Sequence, residues 1–470
     1  MDKVLKDIKQ ALQLAGLRDG MTLSFHHHLR NGDFVLNQVL AAADQLGFRD
    51  LHVNASSLFD IHAPLIELIR RGVVTHLECN YMSARIGREI SHGLLEDPVI
   101  FRTHGGRPAD IAQGRSPIDI AFIAAPTADK MGNISGKYGP SACGSLGYAM
   151  ADAAYARKVV AVTDHLVPYP LADVSISETD VDYVVEIDRI GNPEGIVSGT
   201  TKITRDPIGL LMAQYACRAI DASGLLKDGF SFQTGAGGAS LATAAFLKDL
   251  MLEKKIHGSF GMGGITAYLV QMLEEGCFES LMDVQCFDLE AVRSIREDRR
   301  HCEVSALKYA GPRPDVKSSL VDNLDVVILG ATEMDKDFNV NVHTNSQGEI
   351  MGGSGGHSDT AAGAKMAMII APLIRARLPL IVDQLACIST PGESIDCLVT
   401  QYGLAVNPRR EDLLARFKEA KLPLLSMEEL QQKAESFSGK PQPLDLSGRV
   451  VGKVRYRDGR IISELHEVKD

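Results

Sequence analysis

Two stretches of the chain share one pattern: Leu17-Arg18-Asp19-Gly20-Met21-Thr22-Leu23-Ser24-Phe25 and Leu226-Lys227-Asp228-Gly229-Phe230-Ser231-Phe232-Gln233-Thr234. A second matching pair, residues 118–125 and 324–331, follows at nearly the same separation in each copy. The long spacing predicts an internal duplication and not a solenoid, whose repeats run about 20–50 residues. We therefore predict two similar halves with a ligand site where they meet.

The alternation of apolar runs and amphipathic segments predicts the fold class. Residues 118–125 form a continuous apolar run, as is typical of a strand buried on both faces of a parallel sheet. Such strands alternate with helical segments, including one expected over 360–374 and followed by a strand over 380–383, and this pattern indicates βαβ units. After residue 410 we expect a helix and a β-hairpin turning at Asp458-Gly459.

We thus predict an α/β protein with mostly parallel sheets and three parts. These are an N-terminal α/β domain over 1–220, a C-terminal α/β domain over 221–410, and a helix and β-hairpin appendage over 411–470.

Composition excludes several classes of function. The 470 residues carry 49 Lys and Arg against 60 Asp and Glu, a net charge of −11, which argues against general nucleic-acid binding. The eight cysteines form no Cys-x-x-Cys pair, which favours reduced thiols over disulfides or a zinc site. The apolar stretch 366–382 is interrupted by Arg375 and Arg377 and is too short to span a membrane. We predict a soluble cytoplasmic protein with no nucleic-acid or membrane partner.

Two polar turns are candidates for binding an anion. His26, His27, His28 and Arg30 follow the strand of the first repeat, where an anion-binding lip is one interpretation. A solvated loop is another, and a metal site is weaker because only His26 and His28 share a face and no third ligand is evident. Arg102, His104 and Arg107 surround a Gly pair and suit a polycarboxylate, although exposed surface charge is the alternative.

Three glycine-rich stretches are expected at helix N-termini, where backbone N–H groups can hold an oxyanion or thioester. The alternative is close packing of helix on sheet. The Gly-x-Gly-x-x-Gly spacing of a dinucleotide site is not met. For Ser358–Asp359, which follow the last of these stretches, the alternative to a role in the site is a helix N-cap. The glycines in question are Gly235, Gly237, Gly238, Gly263, Gly264, Gly355 and Gly356.

Glu333 and Asp335 are candidate acid/base carboxylates. The alternative is that they begin a loop and pair with Lys336.

Several motifs resemble known sequences. Residues 390–405, residues 354–359, and Glu333-Met334-Asp335 followed by Asn341 resemble the acyl-CoA transferase and hydrolase superfamily, which is built from two similar α/β halves. More narrowly, the chain is similar to the citrate lyase alpha subunit family along essentially its whole length. The motifs that carry this narrower resemblance are 24–27, 103–107, 143–149, 233–241, 283–288 and 454–459.

The resemblance implies two CoA-transferase-type halves and a citrate:acyl-carrier-protein transferase. Acetyl thioester on the phosphopantetheine-type arm of an acyl carrier protein would be exchanged for citrate, giving citryl thioester and acetate. The implied partners are the citrate lyase beta subunit and the gamma acyl carrier protein, in an oligomer, with no covalently bound cofactor. A free-CoA acetate or dicarboxylate transferase, a thioester hydrolase, a citramalate lyase alpha subunit and a non-catalytic scaffold are the alternatives.

The mechanism is expected to avoid an enzyme nucleophile. Many CoA transferases use a glutamate, but Ile265 and Gln401 occupy the places where the resemblance would put it. We therefore expect a citrate carboxylate to attack the thioester directly through a mixed anhydride, a route that depends on positioning and oxyanion stabilisation. Glu333 is the reserve nucleophile. The expected substrate-binding residues are His26, His27, Arg30, His104, Arg107 and His357, and the glycines above form the thioester and oxyanion loops.

Overall fold

A computed structural model describes residues 3–197, 202–235, 237–312 and 318–469. Ala236, in the first glycine-rich stretch, lies outside the described residues. The strands are, in chain order, β1 (Val4–Leu5), β2 (Thr22–Phe25), β3 (Leu51–Ala55), β4 (Val74–Cys79), β5 (Val99–Phe101), β6 (Ile120–Ala125), β7 (Thr127–Asp129), β8 (Ile134–Ser135), β9 (Lys158–Thr163), β10 (Leu166–Val167), β11 (Tyr183–Glu186), β12 (Ser231–Thr234), β13 (Gly258–Ile265), β14 (Phe278–Cys286), β15 (His301–Glu303), β16 (Val326–Leu329), β17 (Glu333–Met334), β18 (Val340–Asn341), β19 (Met366–Ile370), β20 (Ile374–Arg375), β21 (Leu378–Pro379), β22 (Cys397–Thr400), β23 (Gly403–Val406), β24 (Leu446–Arg455) and β25 (Ile461–Val468).

The helices are, in chain order, α1 (Ile8–Leu14), α2 (Val35–Gln45), α3 (Leu65–Arg70), α4 (Ala84–Ser91), α5 (Gly106–Ala112), α6 (Ala149–Tyr155), α7 (Pro207–Ala222), α8 (Gly238–Lys254), α9 (Ala267–Glu274), α10 (Leu289–Glu297), α11 (Ala306–Ala310), α12 (His357–Gly363), α13 (Glu411–Glu419) and α14 (Met427–Ser438). None of the described helices is long and apolar enough to cross a membrane.

Two large sheets repeat the same topology. The central order β11-β9-β6-β2-β3-β4-β5 of the first sheet corresponds to β22-β19-β16-β12-β13-β14-β15 of the second. Neighbouring strands within each of these series run parallel, as βαβ units require. The predicted α/β class with mostly parallel sheets is confirmed.

The duplication extends to single hydrogen bonds. In the first half an Asp119 oxygen accepts from the backbone N–H of Thr22 at 2.9 Å, and in the second half Asp325 accepts from Ser231 at 2.9 Å. Asp129-Lys130 and Asp335-Lys336 follow at equivalent places in the two copies, and each aspartate accepts from backbone N–H groups of the turn that follows it. The repeated acids therefore serve the same local turns in both halves.

The C-terminal segment divides between the two sheets. Strand β24 pairs parallel with β5, so the predicted hairpin at Asp458-Gly459 extends the first sheet. Helix α13 packs on α7 and helix α14 packs on β21, both beside the second sheet. The division into domains 1–220, 221–410 and 411–470 stays a prediction.

Three local predictions were wrong. The expected helix over 360–374 ends at Gly363, and Met366–Ile370 is the buried strand β19, because this apolar run lies between two neighbours in the sheet. At 380–383 only an isolated bridge at Ile381 forms. Gly263 and Gly264 lie inside β13, at a register shift, and not at a helix N-terminus.

The halves approach closely through glycines. A Cβ on Gly105 would overlap the carbonyl oxygen of Ala310, and one on Gly147 would overlap that of Val304. Each of these contacts joins the first half to the second, so the backbones meet without intervening side chains. The cleft between the halves is therefore fixed by main-chain packing.

Candidate active site

A stack of aromatic and imidazole rings lies just beyond the carboxyl end of β2. The ring centroid of His27 is 4.7 Å from Tyr148 and 5.5 Å from His104, and Tyr148 is 4.6 Å from His104. His27 and Tyr148 are buried, whereas His104 is partly exposed. The carboxyl edge of the strands is where ligands bind in open α/β sheets.

Hydrogen bonds fix which nitrogen of each imidazole faces the cleft. The Asn80 side-chain amide donates to the Thr103 carbonyl at 3.2 Å and to His104 Nδ1 at 2.9 Å, so Nδ1 accepts and Nε2 carries the proton. Ser56 Oγ accepts from the His27 backbone N–H and lies 2.6 Å from His27 Nδ1. Ser56 Oγ and Nδ1 of His27 thus share one hydrogen bond, which anchors the ring from behind and leaves Nε2 on the side of the cleft.

Both imidazoles are neutral at physiological pH. Burial, reinforced by the charges of Arg107 and Arg30, lowers the pKa of His104 to about 3. Burial, followed by His104 and His28, lowers the pKa of His27 well below its usual value. These rings are therefore hydrogen-bond donors without charge.

Arg30 supplies positive charge beside the stack. Its guanidinium carbon lies 4.5 Å from the Phe287 ring centroid and 5.4 Å from that of Phe59. Among the described residues no carboxylate forms an ion pair with it. Burial lowers the pKa of Arg30, but a guanidinium stays charged in proteins. Its N–H groups are thus available to an anion.

Arg107 is held behind the cleft and does not line it. Its Nε donates to Asn54 Oδ1 at 2.6 Å, and its Nη1 and Nη2 each lie 3.1 Å from an Asp152 oxygen. Asp152 also contacts His26 Nδ1 at 3.3 Å. Nε2 of His26 and Nδ1 of His28 are buried with no hydrogen-bond partner among the described residues. Arg107 therefore orients Asp152 and His26.

The second half faces this stack with its glycines. The Gly355 carbonyl accepts from the His104 backbone N–H at 2.8 Å, and Gly355 has a φ of +53°. A Cβ on Gly356 would lie 3.0 Å from the Tyr309 hydroxyl, which pairs with the Gln233 side-chain amide at 3.0 Å. Gly263 fits beside the same Gln233, because a Cβ there would be 2.9 Å from Gln233 Cδ.

Asp359 joins the two halves next to the stack. Its carboxylate accepts from Thr103 Oγ1 at 2.9 Å and from the Gly105 N–H at 2.8 Å. The alternative role of Ser358–Asp359 as a helix N-cap does not apply, because the N-cap of α12 is Gly356. Burial raises the pKa of Asp359 to about 6, against the opposing effect of Arg457.

A cavity of about 850 Å³ lies in the second half, beyond the carboxyl ends of β12, β16 and β19. Gly235, Gly237 and Gly238 line it, with Lys202 and Arg375 exposed at its edge. This volume falls within the range of ordinary ligand sites, about 300–1,000 Å³.

His357 stands between the cavity and the stack. Its Nε2 lies 2.9 Å from the carbonyl oxygen of Gly330, a cavity residue, and its Nδ1 lies 2.8 Å from Thr390 Oγ1. Both nitrogens are thus occupied within the protein. The preceding Gly355 and Gly356 face His104, so the segment 352–357 borders both compartments.

Similarity to known proteins agrees with these features. The sequence model of the citrate lyase alpha subunit matches residues 1–468. The chain belongs to the citrate lyase alpha subunit family. It is 46% identical to the citrate lyase alpha chain of Klebsiella pneumoniae and 45% identical to that of Escherichia coli K12, over the whole chain and 92% and 91% of those proteins. The predicted family and its enzyme, the transferase subunit of citrate lyase, are confirmed.

Solved structures give the same result. A citrate lyase alpha subunit from Streptococcus mutans, solved in complex with citrate, superimposes with a TM-score of 0.97 at 47% identity, over 100% of this chain and 92% of that one. A malonate decarboxylase alpha subunit from Acinetobacter baumannii is 18% identical with a TM-score of 0.68, over 94% of each chain, and shares the fold.

In this member of the citrate lyase alpha subunit family, the candidate nucleophile Glu333 is the first residue of β17. It is buried, and Asn341 Nδ2 lies 3.4 Å from its Oε2. Thr332 lines the cavity, and successive side chains of an extended segment point to opposite sides, so Glu333 points away from it. Ile265 is buried in the core, and the Gln401 side chain accepts from the Leu373 N–H.

The structure brings together most of the residues singled out in the sequence. His26, His27, Arg30, His104, Gly355 and Gly356 surround one cleft, whereas Gly264 packs against the Phe287 ring below Arg30. Sequence reasoning missed the roles of Tyr148, Asp152 and Tyr309. Tyr148 lies in one of the resemblance motifs, but nothing local to Tyr309 connects it with Gln233.

Proposed function

We propose that citrate binds in the cleft formed by His27, His104 and Arg30, and that the acyl-carrier thioester reaches it through the cavity of the second half. The observation that carries this proposal is the convergence of two neutral imidazoles, one of them an Nε2–H donor, and a guanidinium with no ion-pair partner among the described residues. A tricarboxylate needs several donors and at least one cation at short range. The citrate complex of the Streptococcus mutans relative supports the choice of ligand.

The exchange proceeds in two balanced acyl transfers. A citrate carboxylate oxygen attacks the acetyl carbonyl, and the carbon–sulfur bond breaks to give a mixed anhydride and a free thiolate. The thiolate then attacks the citryl carbonyl of the anhydride, and acetate leaves. No net proton is transferred, so the protein needs donors for the two tetrahedral oxyanions and a fixed geometry.

The N–H groups for those oxyanions come from His104 and the glycine segments. Nε2–H of His104 points at Gly355, within 3.2 Å of where a Cβ would stand there. Backbone N–H groups of Gly237 and Gly238, at the start of α8, face the cavity from a helix N-terminus. His26 and Arg107 are positioning residues that act through Asp152. His357 holds the segment 352–357 in place.

The arm of the carrier protein enters at the edge marked by Lys202 and Arg375. Arg377 is also exposed on the β20–β21 turn. Three cations at one opening favour a carrier that presents acidic side chains around its arm. The gamma acyl carrier protein and the beta subunit of the lyase are the proposed partners, in a multi-subunit cytoplasmic complex.

An exchange assay tests this function. The purified chain is mixed with acetyl-loaded carrier protein and labelled citrate, and Glu333→Gln is compared with wild type. We expect label on the carrier, release of acetate, and rates within about threefold for Glu333→Gln, because its amide keeps the acceptor for Asn341.

Other outcomes discriminate the alternatives. Transfer to free CoA but not to the carrier protein would indicate a free-CoA transferase. Faster turnover with citramalate than with citrate would identify citramalate as the substrate. Loss of activity in a folded Glu333→Gln protein, with an intermediate trapped by hydroxylamine in wild type, would replace direct attack by a glutamyl thioester.

A further inference from the structure

A second cluster of potential ligands lies at the opposite edge of the first sheet. His52 and His76 are register partners on the neighbouring parallel strands β3 and β4, so their side chains emerge side by side on one face. Asp50 immediately precedes β3 and has a φ of +56°. The three residues belong to no metal-binding sequence motif. Strand pairing brings His76 beside Asp50 and His52.

The donor atoms of this cluster are close enough to share one ion. One ligand atom from each of Asp50, His52 and His76 lies within 4.8 Å of the others. The two imidazole centroids are 4.0 Å apart with an interplanar angle of 44°. His52 and His76 are partly exposed and Asp50 is exposed, so an ion can enter from solvent.

His76 is oriented by contacts on both nitrogens. Its Nε2 lies 2.8 Å from Asp97 Oδ2. Its Nδ1 lies 2.9 Å from Thr75 Oγ1, and that hydroxyl donates to Asp50 Oδ1 at 2.6 Å. Nδ1 therefore faces the Thr75 hydroxyl on the side of Asp50, while Nε2 faces the Asp97 carboxylate. A carboxylate behind the second nitrogen is the usual support of a metal-binding histidine.

We propose that Asp50, His52 and His76 form a binding site for a divalent transition metal of the zinc class. Two imidazoles and one carboxylate suit Zn²⁺, Co²⁺, Ni²⁺ or Cu²⁺, whereas Mg²⁺ and Ca²⁺ prefer oxygen ligands alone. Three protein ligands leave at least one coordination position for water. The Thr75 hydroxyl that lies between Asp50 and His76 yields its place to the ion.

Acidic side chains surround the cluster. Asp97 faces His76, and Glu78 and Asp119 lie close enough to His52 to act on it electrostatically. A single divalent cation offsets the charge of these carboxylates while the two imidazoles bind it.

The site is separate from the acyl-transfer cleft. His52 lies near the amino end of β3, whereas Ser56, the partner of His27, follows its carboxyl end. At about 3.3 Å per residue the strand separates the two by more than 10 Å. The ion would therefore fasten β3 to β4 and stabilise the first half without acting on the substrate.

Calorimetric titration of the chelator-treated full chain with Zn²⁺ tests the proposal. Wild type is compared with Asp50→Asn, His52→Ala and His76→Ala, with His257→Ala in the second half as the matched control. Asn tolerates the left-handed backbone at position 50, so Asp50→Asn guards against misfolding. We expect one equivalent bound by wild type and His257→Ala, and an affinity lower by about tenfold or more in the other three.

Two further readouts decide the result. Co²⁺ should give visible absorption in wild type that is lost in His52→Ala and His76→Ala, and saturating Zn²⁺ should raise the melting temperature of wild type more than that of Asp50→Asn. Equal Zn²⁺ affinity in all five proteins, or no binding by wild type, would overturn the site. The exchange activity of Asp50→Asn should equal that of wild type, so the proposed transferase function is judged separately.

Discussion

At the scale of single residues, the proposed citrate cleft presents neutral imidazoles. The sequence contains a basic turn, but burial removes the charge of His27 and His104, whereas Arg30 remains a cation because a guanidinium stays charged in proteins. A neutral N–H donor in a fixed tautomer can stabilise an oxyanion. The proposed chemistry therefore depends on Asn80, which sets the tautomer of His104.

Replacing His104 by Phe should lower the citrate exchange rate by about a hundredfold, because an oxyanion or carboxylate donor is lost while a ring remains in the stack. The wild-type rate should show no loss attributable to imidazole between pH 6 and 8, since the pKa of His104 is about 3. Steady-state rates across that range test both statements. A decline near pH 6.5 that disappears in His104→Phe would contradict them.

Asp359 should make stability depend on pH in a defined direction. Its folded pKa of about 6 exceeds its unfolded value of about 3.9, so the folded state holds a proton that the unfolded state releases. The stabilisation is complete below pH 4 and is lost as the pH rises through 6. The melting temperature of wild type minus that of Asp359→Asn should fall over this window, and a constant or rising difference would be inconsistent with the raised pKa.

At the scale of elements, the segment 352–357 is the part on which both compartments depend. Gly355 adopts a φ of +53° and lies against His104, while Nε2 of His357 contacts the Gly330 carbonyl oxygen. An extended strand could not make both contacts at once. A side chain at position 355 would press against His104.

Gly355→Ala should lose most exchange activity, because the added Cβ strains the backbone and lies 3.2 Å from His104 Nε2. Gly459→Ala is the matched control. Its φ is +92° but open space surrounds it, so it should cost about 1 kcal/mol of stability and leave the rate unchanged. Comparable activity of the two variants would show that the contact with His104 is unimportant.

At the scale of the whole molecule, the proposed citrate cleft exists because two copies of one topology face each other. Gln285 Nε2 donates to the His27 carbonyl at 2.7 Å, and Ser145 Oγ donates to the Asp283 carbonyl at 2.9 Å. The C-terminal strand β24 lies on the first sheet while α13 and α14 lie beside the second, so the chain crosses between the halves again. The halves are therefore held by several separate contacts.

Gly105→Ala should destabilise the protein by about 2 kcal/mol or more, since its Cβ would overlap the Ala310 carbonyl and force the halves apart. Gly448→Ala, in β24 with open space around it, should be neutral. Thermal unfolding with the exchange assay at 25 °C checks this. A Gly105→Ala protein with the same melting temperature as wild type would mean that the interface between the halves adjusts to the added Cβ.

Several features followed from local pattern alone. The repeated Asp-Gly and Asp-Lys turns predicted the duplication, and the hairpin at Asp458-Gly459 formed as expected. The helix prediction for Met366–Ile370 was wrong because a short apolar run has neither a helical nor a strand periodicity. Only pairing with its neighbours in the sheet makes this run a strand.

The sequence by itself determined the family, the α/β class, the two copies and the polar turns that line the cleft, because these are written in local spacing and long motifs. Tertiary structure decided the rest. In the folded chain Arg107 pairs with Asp152, and Glu333 points away from the cavity. Burial makes His104 neutral, and strand pairing places His52 beside His76. Partner choice, burial and pKa are properties of residues distant in sequence, and they arise only when the sheets and the two halves are packed together.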